Sequence, residues 1–260
     1  MHNSMKYREQ KFYCGQYLDV NIFPVWEGVY STGRRTKLKP TSEVQKKLNQ
    51  HNREKELTRC INANFTHRDY KLELTYSDKN YPSSVEQAKK DIVNFFRRIK
   101  RARAKRYLPE VKYIYSLEQG SKKGRIHFHV IMSGGLPIDL VAKKWGKGYV
   151  DKVLPLMFGE TGCSGIAKYF CKQQVISESG TQSKSWVPSQ NLIKPQPKNN
   201  DHKFSKRKVR ELAAETENRR LFEAMYPDYC FVDCNPFFND VSGLHYLYVR
   251  MYRRDAVLDV

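Results

Sequence analysis

The chain has 260 residues, of which 40% are hydrophobic and 13% aromatic, so a packed core is expected and global disorder is excluded. Its 47 Lys and Arg outnumber 27 Asp and Glu, and the net charge of +20 points to a polyanionic partner, with nucleic acid the default. No apolar run approaches the roughly 18 residues of a membrane span, and the opening stretch MHNSMKYREQ lacks an apolar signal core, which predicts an intracellular protein. In that compartment the six scattered cysteines would be mostly free thiols, with Cys230-x3-Cys234 a possible metal half-site.

In chain order, residues 12–26 alternate around Leu18, Val20 and Ile22 and predict a strand. Residues 28–40 form a Gly-containing basic loop with Arg34, Arg35, Lys37 and Lys39. Thr41 or Ser42 would cap a helix to about Asn62, with Val44, Leu48, Leu57 and Ile61 as its apolar stripe. Residues 70–76 (YKLELTY) alternate as a strand. A helix is predicted from about Val85 to Arg106, with Val85, Ala88, Ile92, Phe95, Phe96, Ile99 and Ala102 on one side. Lys89, Lys90, Arg97, Arg98, Arg101 and Lys105 occupy its other side, and Pro109 helps to end it. Strands follow at about 111–118 and 126–132, then a short helix at 139–146, a strand at 148–153 and a helix at 163–174. From 176 to 204 the composition turns to Ser, Gln, Pro, Asn and Lys, which predicts a loop or linker. A charged helix over 205–225 and a hairpin, turning around FNDVSG, complete the chain. The order predicts an α+β fold: a central antiparallel sheet with flanking helices, plus a basic C-terminal extension. The expected organisation is an N-terminal strand-and-helix segment (1–66), a core (67–175), a polar basic linker (176–204) and a C-terminal helix and hairpin (205–260).

The most informative stretch is Gly124-Arg125-Ile126-His127-Phe128-His129-Val130. Strand side chains alternate faces, so Ile126, Phe128 and Val130 would face the core while His127 and His129 share the other face, about 7 Å apart at the backbone. Both imidazoles could then reach one metal ion at about 2.0–2.2 Å. A simple four-residue loop, Ser121–Gly124, would place Glu118 across from His127, Ser116 across from His129 and Leu117 across from Phe128. One carboxylate then joins two imidazoles, although a one-residue slip would break the arrangement. The plainer alternative is a pair of surface histidines with Glu118 ion-paired to Arg125. Two His and one carboxylate leave coordination positions open, and the N/O set suits Mn²⁺ or Mg²⁺, with Zn²⁺ also compatible. Tyr169 on the 163–174 helix is a candidate nucleophile, with Lys172 on the same helical face.

Together these residues resemble a known family. GRIHFHVIM is similar to the His-hydrophobe-His motif of HUH endonucleases, and SLEQGSKKGRIHFHVIM to the longer stretch in rolling-circle replication initiators (Rep proteins). IAKYFCKQ resembles their Tyr-x-x-Lys motif, and LELTY their first motif. The resemblance covers about residues 70–175 and extends in layout to initiators of Gram-positive plasmids and small single-stranded DNA phages. It implies the HUH (ferredoxin-like Rep) fold, with the His-x-His strand central in the sheet. It also implies metal binding by Glu118, His127 and His129, and attack by Tyr169, assisted by Lys172, on single-stranded origin DNA. The product would be a 5′-phosphotyrosine link, with a host helicase and polymerase as partners in the bacterial cytoplasm. Some relatives carry two tyrosines four residues apart; here Gly165 and Gln173 stand at those positions, so the chain resembles a single-tyrosine enzyme.

Candidate DNA contacts are Arg97, Arg98, Arg101, Arg125, Lys206 and Arg207, together with Arg34, Arg35, Lys37 and Lys39 and the further cations Lys198, Lys203, Lys208 and Arg210. Tyr81, Phe204 and Trp186 are candidates for stacking on unpaired bases. No GxxxxGK[ST] stretch argues for a built-in ATP-driven helicase. A conjugative relaxase or transposase of the same chemistry, and a non-enzymatic basic DNA-binding protein, remain the competing classes.

Overall fold

A hairpin opens the chain. In the computed structural model, which describes residues 4–27, 43–119, 124–172 and 186–259, strands β1 (Met5–Cys14) and β2 (Tyr17–Trp26) pair antiparallel with Cys14 opposite Tyr17. The expected single strand over 12–26 is therefore broken at Gly15-Gln16. Gly15 has φ +63°, and a Cβ there would collide with the Asn62 backbone carbonyl. Both the left-handed backbone and the close approach demand glycine. Gly15→Ala is expected to lower stability by at least about 2 kcal/mol, read from the midpoint of urea unfolding; an unchanged midpoint would contradict this account. The basic loop 28–40, the Thr41/Ser42 cap, Val44 as a side chain and most of the turn after Gln119 lie outside the described residues.

The chain divides into two compact units. The first comprises Met1–Ala63, Gly159–Gly162 and Lys194–Val260. It contains helix α1 (Glu43–Asn64, all but its last residue), and Leu57 and Ile61 of the expected stripe are buried while Leu48 is exposed. Its five-stranded antiparallel sheet has the order β8-β1-β2-β10-β9, where β8 is Lys198–Phe204, β9 Tyr229–Asn239 and β10 Leu244–Arg253. The predicted C-terminal hairpin is present, with its turn at residues 240–243. The expected helix over 205–225 is two: α5 (Lys206–Ala214) and α6 (Arg219–Met225). Ser205 caps the first by accepting from the Lys208 amide, and Asn218 caps the second by accepting from the Leu221 amide. A second N-cap inside the segment is the signal that divides it. Both helices bury Val209, Leu212 and Phe222 against Leu18, Val20, Ile22, Val249 and Met251 of the sheet.

Glu9 on β1 lies inside this unit, fully buried, and accepts hydrogen bonds from Lys203 Nζ and Tyr226 Oη, both at 2.6 Å. Burial pushes its pKa up, but Lys203 and Tyr226 outweigh that and hold it below the ordinary 4.5. A depressed folded-state pKa means stability that is present above the unfolded value and lost as pH falls through the folded one. The first unit is therefore expected to lose stability on acidification below about pH 4.5, and Glu9→Gln to flatten that slope in chemical unfolding followed across pH.

The second unit comprises Asn64–Phe158 and Cys163–Ile193. Its antiparallel sheet has the order β6-β3-β5-β4-β7, with β3 Tyr70–Leu74, β4 Tyr113–Gln119, β5 Ile126–Met132, β6 Val150–Pro155 and β7 Val187–Pro188. The His-x-His strand β5 is thus central. One face of the sheet packs on α2 (Val85–Ala104) and α3 (Ile138–Trp145). Ser84 caps α2 by accepting from the Gln87 amide. Ala88, Ile92, Phe95, Phe96, Ile99 and Ala102 meet Leu72, Leu74, Phe128 and Val130 there, as the apolar periodicity predicts. Trp145 fills the centre of this layer and donates its indole N–H to the Thr75 carbonyl at 2.8 Å. The fold is α+β, with two antiparallel five-stranded sheets and six α-helices among the described residues. None of those helices is long and apolar enough to cross a membrane.

Candidate active site and metal centre

The face of the second sheet turned away from α2 carries the chemistry. Strands β4 and β5 pair with Glu118 opposite His127, Leu117 opposite Phe128 and Ser116 opposite His129, the register the sequence predicts. Phe128 is fully buried in the α2 layer, so the alternation that anchors it turns both histidines to the other side. Their rings are 4.9 Å apart between centroids. Glu118 Oε2 lies 2.7 Å from His129 Nε2 and 3.2 Å from His127 Nε2. His127 Nδ1 lies 3.2 Å from the Arg125 carbonyl; as donor there it would leave Nε2 free to accept from or bind a cation.

A second carboxylate faces the same point from the other neighbouring strand. Glu73 of β3 stands directly opposite His129, and its Oε1 is 3.7 Å from His127 Nε2. Glu73, His127 and His129 offer ligand atoms all within 4.8 Å of one another, a group able to hold a metal ion. Sequence reasoning missed Glu73. Leu72 and Leu74 inside the core put it on the histidine face, but nothing in the sequence says that β3 lies beside β5.

His129 is 3% exposed. Burial is the main cause of its lowered pKa, only partly offset by the Glu118 hydrogen bond and by Glu73, so the imidazole is neutral near pH 7 and competent as a ligand. Burial works in the opposite direction on Glu73, but the hydrogen bond from Lys152 and the two histidines outweigh it and keep this carboxylate ionised. Lys152 Nζ sits 2.6 Å from Glu73 Oε2.

Tyr169 comes to this cluster from α4 (Ser164–Lys172). Ala167, Phe170 and Cys171 are buried and fix the helix, while Tyr169 is 39% exposed. Its hydroxyl is 3.1 Å from His129 Nε2 and its ring centroid 4.9 Å from that imidazole. Lys71 of β3 places Nζ 5.2 Å from the Tyr169 ring centroid. Lys172 is exposed at the end of α4. The donor set suits a divalent cation: two imidazole nitrogens and nearby carboxylate oxygens match Mn²⁺ or Mg²⁺, and Zn²⁺ tolerates the same atoms.

The structure distributes the other predicted residues differently. Arg97 and Arg101 are exposed on α2, across the sheet from the histidines. Arg98 is half-buried and donates to the Lys144 and Trp145 carbonyls at 2.7 and 3.2 Å, capping the end of α3. Arg125 pairs with Asp78, not Glu118, and lies over the Tyr81 ring. Lys206 and Arg207 stand in the first turn of α5 in the other unit, Arg207 paired with Glu211. Phe204 is buried in the core of that unit and cannot stack on a base, whereas Trp186 is half-buried and Tyr81 partly exposed. Among the described residues, Cys230 and Cys234 join no group of three metal-binding side chains.

Comparison with curated proteins and with solved structures yields no match. Comparison with protein families does: the model of the replication-associated protein ORF2 family matches residues 69–174, a span that contains Glu73, Glu118, both histidines and Tyr169. Through this segment, the chain belongs to that family of replication-associated proteins.

Proposed function

We propose that this protein initiates rolling-circle replication by nicking and rejoining single-stranded origin DNA through a covalent tyrosine intermediate. The observation that carries the reading is the approach of the Tyr169 hydroxyl to His129 Nε2, inside a cluster that also gathers His127, Glu118 and Glu73. A tyrosine on an ordinary amphipathic helix has no reason to meet two histidines and two carboxylates.

In this reading His127, His129 and Glu118 would hold a divalent cation, with Glu73 beside them. When bound, the cation supplies positive charge to a phosphodiester oxygen. His129 Nε2 orients the Tyr169 hydroxyl. Tyr169 Oη forms a bond to phosphorus as the bond from phosphorus to the 3′ oxygen breaks, and the proton lost by the phenol is balanced by the one the 3′ oxygen gains. The products are a 5′-phosphotyrosine and a free 3′-hydroxyl, which a host polymerase could extend behind a host helicase. The reverse attack by a 3′-hydroxyl reseals the strand.

The test uses single-stranded oligonucleotides tiled across the replicon that encodes the protein, labelled at either end and incubated with Mn²⁺ or with chelator. A metal-dependent covalent adduct that retains the downstream fragment is expected on a denaturing gel. Tight binding with no cleavage of any fragment would replace this reading with a non-enzymatic DNA-binding role.

A further inference from the structure

Lys152 has φ +48°, in the left-handed region that side-chain-bearing residues seldom occupy. The conformation belongs to a β-bulge. Strand β6 pairs with β3 through Lys71 with Leu154 and through Glu73 with Asp151, so Lys152 and Val153 together stand opposite Leu72. Glycine is the usual occupant of a left-handed bulge position, and a lysine there costs conformational energy that its surroundings must supply.

The bulge has a directional consequence. Val150 and Val153 both pack against the α2 layer. In a regular strand the period of two would send Lys152 to the same face as Val150, into that core. The extra residue moves Val153 into the core position and releases Lys152 to the histidine face. There its amine bonds Glu73 Oε2, yet its side chain stays 71% exposed. Lys71, two residues before Glu73 and so on the same face of β3, brings a second amine to the Tyr169 ring. Two cations therefore border the ground between Glu73 and Tyr169, and Glu73 can neutralise only one of them.

We propose that Lys71 and Lys152 form a phosphate seat beside Tyr169, which receives the phosphodiester of the strand to be cut. The strained bulge is the device that puts Lys152 there. Ammonium groups suit this task because a phosphodiester presents a compact single negative charge to hydrogen-bond donors. This assignment rests on the nicking reading for its chemistry, but the anion contact can be measured without cleavage.

The experiment compares Lys152→Gly, Lys152→Arg and Lys71→Ala with wild type in three measurements: thermal unfolding, the salt dependence of binding to a fluorescent oligothymidylate, and the rate of covalent adduct formation on the cleaved oligonucleotide. Lys152→Gly relieves the backbone, so its melting temperature should equal or exceed that of wild type. It should nonetheless lower the slope of log affinity against log salt by about one and slow adduct formation at least about tenfold. Lys71→Ala should lower both in the same way, and Lys152→Arg should keep the wild-type slope. A well-folded Lys152→Gly protein with wild-type slope and wild-type adduct rate would overturn the seat, as would a slope insensitive to both lysines. Absence of adduct from wild type would instead sink the nicking reading, and the salt slopes would still decide the anion contact.

Discussion

Tyr169→Phe is expected to abolish the covalent protein–DNA adduct, reducing cleavage by at least about 10³-fold while leaving single-stranded DNA affinity within about threefold of wild type. The asymmetry follows from the position of the side chain. Its ring makes the edge contact with His129 and its backbone belongs to a helix fixed by Ala167, Phe170 and Cys171, none of which needs the hydroxyl. Only the oxygen is lost, and with it the contact to His129 Nε2. An adduct that survives the substitution would keep the enzyme class and move the nucleophile to another tyrosine. A phenylalanine variant that loses DNA binding and cleavage together would show that the hydroxyl serves recognition, and the phosphotyrosine step would fail.

How far this site could be read from the sequence depends on which strands are linked in the chain. Glu118, His127 and His129 sit on a hairpin, where a short connection fixes the register and the register fixes which side chains share a face. Leu117 and Phe128 made the arrangement checkable, because a slip would have exposed them. Glu73 and Lys71 sit on a strand joined to β5 only through a long excursion that includes α2 and β4. Alternation places them on the correct face of β3, but strand order is decided by packing of the whole layer. Lys152 was hidden for a different reason. A bulge inverts the alternation on one side of itself, and its left-handed residue is a lysine in place of the glycine that would have announced it.

The fold divides along the same line. Helix α2 follows its 3.6-residue period, because six apolar residues meet one sheet face. Strand β8 (KNNDHKF) carries almost no apolar signal; it is a mostly exposed edge strand that pairs through its backbone with β1, and its lysines suit an edge that must not recruit another strand. Polar composition suggested a loop over that stretch, whereas backbone pairing, which composition does not encode, makes it a strand. β1 was hidden because Glu9 occupies an inward position where an apolar residue would be looked for, held there by Lys203 and Tyr226.

Removal of either imidazole is expected to weaken Mn²⁺ binding at least about 100-fold in His127→Ala and His129→Ala, measured by titration calorimetry or by the loss of the free-Mn²⁺ paramagnetic signal. The two carboxylates should not be equivalent. Glu118 Oε2 reaches both imidazole nitrogens within 3.2 Å, whereas Glu73 approaches one at 3.7 Å and commits its other oxygen to Lys152. Glu118→Gln should therefore cost about 10- to 100-fold in affinity, and Glu73→Gln distinctly less. The opposite order would make Glu73 the metal's carboxylate and leave Glu118 as the group that orients His129. Wild-type affinity in both histidine variants would remove the metal from the site altogether, since among the described residues no other group of three metal-binding side chains is present. Because His129 also contacts Tyr169, its variant should lose adduct formation even at saturating Mn²⁺, whereas His127→Ala should recover part of it as the metal concentration rises. That difference separates holding the cation from placing the nucleophile, two tasks that the shared strand β5 gives to neighbouring side chains.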